Sequence, residues 1–310
     1  MFEEFMGRNQ MALLRDPLTK KGCELWLERV IAFYGEDGGV DVEIIGGQIA
    51  LTDETTEFVY SDFTPLTIKY VKGSRPLLEK VVADNTSAGM SGREKALALM
   101  RRVRDNRTSG LASPNLFFGG NEEELLKRGA LQGNEVSRLL VCLCQVAGIP
   151  ARTHSAHITG HMSTEVYTDG KWGWMDPMKG IAPVNDDDEP TSAWELFEDP
   201  KLFERQPKFV WDDIRPSFPQ MPEDSNATDD RSLIMARARD CYFHPREAMA
   251  IGNYYAWDNL KYTYPWRMDP ADPVRLEQIR HEEHLNRKAV GLPDYYFNQY
   301  LFMDKLKPRQ

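Results

Sequence analysis

Two side chains fifteen residues apart, His161 and Asp176, carry the chemistry that can be read most directly from this 310-residue chain. Between them "HMSTEVYT" and "WGWMDP" read as extended stretches, joined by "DGK" at 169 to 171, a sequence suited to a tight hairpin turn. An antiparallel pair joined this way brings a residue at the start of the first strand beside one at the end of the second. An imidazole oriented by a carboxylate is the base half of a nucleophilic triad. The missing half belongs at a helix N-terminus, where the macrodipole and free backbone N–H groups lower a thiol pKa and can form an oxyanion hole. A helical pattern runs from Glu135 to Ala147, stopped by Gly148 and Pro150, and begins near Gly133 to Glu135.

The two quoted strands follow "GALQGNEVSRLLVCLCQVAGIPAR", and together these segments resemble the core of the transglutaminase-like superfamily, which belongs with the papain-like cysteine enzymes. The family pattern is a Cys opening a helix fifteen residues before the Gly of a "GIPAR"-type turn, then a "HAWxEVY-DGKW--DP" strand pair supplying His and Asp. Here the turn is Gly148-Ile149-Pro150-Ala151-Arg152, the His matches His161 and the Asp matches Asp176. Glu165, Tyr167, Gly170, Trp172 and Pro177 fall where the pattern has like residues. Counting back fifteen from Gly148 lands on Gly133, with Gln132 just before it as in the family's "GQC". The nucleophile position is present and its thiol is not. "HMST" also stands where "HAWN" is common, so the aromatic residue after the histidine is absent too.

The resemblance implies an α+β fold with a transglutaminase-like (papain-like) core, a helix packed on an antiparallel sheet. It implies acyl transfer from peptide or protein amides through a thioester, with no cofactor. His161 would be the base and Asp176 its orienter; Gln132, Asn134 and Trp172 would supply oxyanion and substrate contacts. Ser137 lies one turn into the helix, and Cys142 lies roughly 13 Å along the axis from residue 133, too far to substitute. Two explanations follow. Either Gly133 silences a cysteine hydrolase or acyltransferase, or the chain is a non-catalytic pseudoenzyme that binds a peptide or protein in the retained cleft. The two side chains could also simply satisfy each other as a buried hydrogen-bonded pair.

Three regions must position these residues. Residues 1–84 read as a helix over 10–35 followed by three or four short antiparallel strands within 40–71. Residues 85–182 form the core, opened by a capping box of Ser91 with Glu94 ahead of an apolar face at Ala96, Leu99, Met100 and Val103. Residues 183–310 are irregular and helical, with a second capping box at Ser192 and Glu195, a polar linker over 216–232 and an aromatic-dense stretch over 240–303. That many rings need partners, from the body of the protein or from a second subunit in a homo-oligomer.

Composition excludes several classes. A net charge of −10 argues against a general nucleic-acid binder, whose phosphate contacts need a basic face. No run of about 18 apolar residues and no signal-like start is present, which points to a cytoplasmic protein without a membrane span. Cys23, Cys142, Cys144 and Cys241 form no CxxC pair, as suits a reducing compartment. The acidic run at 185–189 lacks the spacing and central Gly of a calcium loop. In "HSAHITGH", only His157 and His161 share a strand face. His281 and His284, three apart on a charge-rich helix, leave a metallohydrolase as the alternative of a different class.

Overall fold

The structure, a computed structural model, describes residues 48–51, 53, 55–61, 63–68, 70–106, 122–130, 133–156, 161–214, 230–243 and 249–252. The helix expected over 10–35 and the pair His281 and His284 lie outside these residues. In chain order the elements are β1 (Gln48–Ala50), α1 (Thr56–Ser61), α2 (Pro76–Asn85), α3 (Gly92–Asp105), α4 (Glu122–Arg128) and α5 (Gly133–Val146). They continue with β2 (Ala151–Ala156), β3 (His161–Thr168), β4 (Lys171–Met175), α6 (Ala193–Glu198), a 3-10 turn (Pro200–Glu204), α7 (Lys208–Trp211), α8 (Arg231–Tyr242) and β5 (Met249–Gly252).

Helix α5 is the centre of the fold because its apolar residues run round its whole circumference. Val136, Leu139, Leu140, Val141, Leu143 and Cys144 are all buried, as an all-round apolar helix requires. Its end is set by Gly148, which takes a left-handed conformation (φ 78°). There the N–H of Ile149 returns to Cys144 O at 2.8 Å and that of Gly148 to Gln145 O at 3.0 Å, a Schellman closure that satisfies the last carbonyls. The chain leaves through Pro150 directly into β2. Helix α3 opens with the Ser91–Glu94 capping box and buries the expected face, Ala96, Leu99, Met100 and Val103. Helix α2 was not anticipated, although Pro76 at its first position and the spacing of Leu77, Leu78, Val81 and Val82 carry its signal.

The fold is α+β, with one antiparallel five-stranded sheet in the order β1-β5-β2-β3-β4. β3 and β4 are joined at Asp169 and Gly170, both at positive φ (56° and 83°), the two-residue turn that matches the natural strand twist. The pleat sorts side chains onto two buried faces. Ala151, Val166 and Met175 meet α2, α3 and α5 in one apolar cluster. Trp174, Met249 and Ile251 meet Leu196, Phe203, Tyr242 and Phe243 in another. That second face also carries polar residues in a row, His161, Ser163 and Glu165 along β3, and all three are buried.

Within 40–71 the structure departs from the expected run of strands. Among the described residues of that segment, Gln48–Ala50 is the one strand and residues 56–61 form a helical turn. Thr, Val, Tyr and Phe favour strands only when they sit on a pleated surface. Here the sheet instead takes hold of the turn: Arg152 Nη1 donates to Val59 O at 2.6 Å and Tyr60 Oη donates to Glu165 Oε1 at 2.8 Å.

Candidate active site

The hairpin brings His161 and Asp176 together as its geometry requires. Thr164 pairs with Met175, so continuing the register puts Asp176 opposite Ser163 and diagonal to His161. His161 Nε2 stands 3.4 Å from Asp176 Oδ2. Asp176 is fully buried, and its backbone is clamped by a tight turn in which its N–H donates to Ile181 O at 2.9 Å and its carbonyl accepts from Gly180 N at 2.8 Å. Burial pushes the Asp176 carboxyl up. The opposing charge and contact of His161, the nearby Lys179 ammonium and the 2.7 Å bond from Met178 N–H outweigh it and hold the group at about 2.

The other ring nitrogen of His161 looks at the helix. A β-carbon at Gly133 would lie 3.0 Å from His161 Nδ1, 3.2 Å from Cε1 and 3.2 Å from Met162 O. Gly133 is the first residue of α5, where the opening N–H groups have no intrahelical partner and the macrodipole is positive. The junction is laced one turn further in, where Ser137 Oγ donates to the same Met162 carbonyl at 2.8 Å. Position 133, His161 and Asp176 are therefore in line, with each imidazole nitrogen addressed to one neighbour. That is the arrangement a nucleophile–base–orienter chain needs.

Two residues of the site had no functional reading in the sequence. Tyr242, at the last turn of α8, lies flat on His161, with ring centroids 4.1 Å apart and planes 5° apart. Its oxygen accepts a hydrogen bond from Lys179 Nζ, and Lys179 comes from the turn that clamps Asp176. All four side chains are buried; His161 keeps 7% of its surface exposed. The aromatic density near residue 240 was the available signal for Tyr242, and Tyr242 and Phe243 do pack onto the body of the protein. Nothing local marked Lys179.

The remaining candidates divide between those the structure places away from His161 and those outside the described residues. Trp172 is not at this site: it lies four residues before Asp176 on β4, about 13 Å along the strand. Its ring is buried over the Arg152 guanidinium at 4.0 Å, where it has no open edge toward a substrate. Gln132 and the side chain of Asn134 lie outside the described residues, as does His157. Ser137 is held on the Met162 carbonyl. Cys142 and Cys144 are buried; desolvation raises both thiols, with the charge of Glu122 adding to the effect at Cys142. His154 sits behind the site, its Nδ1 2.7 Å from Ser163 Oγ and 3.3 Å from the donating Trp174 Nε1. Among the described residues, no group of three or more His, Cys, Asp or Glu is placed to hold a metal ion. None of the described helices is long and apolar enough to cross a membrane.

Residues 79–177 match the family model for the transglutaminase-like superfamily. No curated protein and no solved structure matches the chain.

Proposed function

We propose, from the match of residues 79–177 to the transglutaminase-like superfamily, that the chain carries the acyl-transfer site of a cysteine hydrolase or acyltransferase for peptide or protein amides, held without its nucleophile. The observation that supports this reading is the two-sided address of His161, Nδ1 toward the β-carbon position of residue 133 and Nε2 toward Asp176. In a thiol-bearing form, His161 takes the proton of the residue-133 thiol and the sulfur attacks the amide carbon. The N–H groups opening α5 stabilise the oxyanion. His161 then returns the proton to the departing amine, leaving a thioester for water or a second amine to cleave. With Gly133 the first bond cannot form, and the chain turns over no amide by this route.

The test is Gly133→Cys, with alkylation of the residue-133 peptide followed against pH by mass spectrometry. A thiol that titrates well below about 8.5 and loses this depression in the His161→Ala background supports the reading; an ordinary thiol refutes it.

One observation favours a second reading, that of a pseudoenzyme which binds its peptide or protein without reaction. The 3.0 Å approach of Nδ1 means the imidazole already occupies part of the space a side chain at 133 would take. Peptide binding without turnover in the thiol-restored protein would select this reading.

A further inference from the structure

The family-matched stretch ends at residue 177, but the environment of His161 is completed from beyond it. His161 has two working edges, one toward residue 133 and one toward Asp176, and two faces. The N–H bond and the lone pair of an imidazole lie in the ring plane, so a hydrogen-bonding partner on an edge competes with proton transfer. A partner on the face does not. Tyr242 covers a face with its ring almost parallel, 4.1 Å away and 5° off plane. A ring packed in this way cannot swing about its side-chain torsions, and both nitrogens keep their directions. The π-face also favours a cation, the state His161 enters when it accepts a proton.

Tyr242 is itself held from three sides. Its oxygen accepts from Lys179 Nζ, its ring lies 6.1 Å from that of Trp174, and its backbone closes α8. Lys179 lies three residues past Asp176, so one short turn sets both the carboxylate on the Nε2 edge and the tether of the covering ring. The strand that follows α8 reaches the same end of the sheet: Ala156 pairs with His161 on one side and with Met249 on the other.

We propose that Tyr242 is a positioning residue for His161, its ring laid flat on one imidazole face so that the imidazole stays in one plane between position 133 and Asp176. This rests on reading His161 as the base of the site. The consequence is a single tautomer, with the proton on Nε2 toward Asp176 and Nδ1 left as the acceptor facing residue 133.

The experiment is long-range nitrogen–proton NMR of the His161 ring in the full chain, compared among the unsubstituted protein, Tyr242→Phe and Tyr242→Leu at neutral pH. The unsubstituted chain and the Phe variant should each show one Nε2–H tautomer, with ring-to-ring contacts between residues 161 and 242. The Leu variant should show both tautomers in exchange. In the Gly133→Cys background, Tyr242→Leu should slow alkylation of residue 133 by roughly tenfold or more, the effect of a misplaced base, and Tyr242→Phe should restore it. A Leu variant with a single tautomer and an unchanged alkylation rate overturns the proposal. Should that variant fail to fold, mixed tautomers in the unsubstituted or the Phe protein overturn it, and a single tautomer in both supports it. An ordinary thiol at residue 133 with Tyr242 intact refutes the acyl-transfer reading instead, and the tautomer comparison still decides the role of Tyr242.

Discussion

Glu165→Gln should be among the most destabilising single substitutions in this chain. Glu165 faces Arg152 across β2 and β3, with Oε2 2.6 Å from Nη2 and 2.8 Å from Nε, and both side chains are fully buried. Its other oxygen accepts from Tyr60 Oη at 2.8 Å and from the N–H of Ala193 at 2.7 Å. Burial, followed by the charge of Glu165, holds the Tyr60 phenol well above its ordinary pKa, so Tyr60 remains a donor. A glutamine has one acceptor oxygen where Glu165 has two. In one orientation its amide N–H groups confront those of Arg152; in the other they confront the N–H of Ala193. Either way a buried guanidinium loses its counter-charge. Removing one partner of a buried pair costs about 3–5 kcal/mol, a large share of the roughly 5–15 kcal/mol available to a folded domain. Urea unfolding followed by tryptophan fluorescence measures the loss, and Arg152→Met should cost a similar amount. The double variant Arg152→Met/Glu165→Gln should cost clearly less than the sum of the two single losses, because no uncompensated charge remains. A Glu165→Gln loss below about 1 kcal/mol, the scale of an exposed pair, would refute this account of the sheet.

Two further outcomes concern the site and its edge. The Asp176 carboxyl is held at about 2 in the folded protein, against about 3.9 when unfolded, so its stabilisation is complete above the unfolded value and fades as pH falls toward 2. Asp176→Asn should remove on the order of 2 kcal/mol at neutral pH and flatten the pH dependence of the urea midpoint between about pH 4 and 2; an unchanged slope would contradict the assignment. At Gly173 on β4, an added β-carbon would meet Pro190 Cβ at 2.5 Å, so Gly173→Ala should cost about 1–3 kcal/mol through overpacking. Calorimetry should show a Tm lower by several degrees, and an unchanged Tm would mean that the segment bearing Pro190 lifts without penalty.

The parts of the fold legible in the sequence are those decided by near neighbours. The Ser91–Glu94 and Ser192–Glu195 capping boxes, the Gly148 stop and the Asp169–Gly170 turn each need only a few adjacent residues, and each is present. The meeting of His161 and Asp176 was legible for the same reason, since a tight hairpin fixes their relation. Local signals failed where distant residues decide. Residues 56–61 have strand-like composition, yet the carbonyl of Val59 and the phenol of Tyr60 are engaged by Arg152 and Glu165, about a hundred positions away. Trp172 falls at a family position but is committed to Arg152. Tyr242 is far from His161 and Asp176 in the sequence, and no local pattern marks that separation as a contact.

The strand order β1-β5-β2-β3-β4 has a consequence for synthesis and for truncation. β5 lies between β1 and β2, so the strand that emerges early from the ribosome has no seat in the sheet until residues 249–252 have been made. Closing the sheet is a contact of very high contact order, which delays it relative to the helices around α5. Cut down to residues 79–177, the same segment would present the bare edge of β2 and the uncovered aromatic face of Trp174, a template for aggregation. The family-matched stretch thus leaves the edge of β2 to be sealed by a strand made later in the chain.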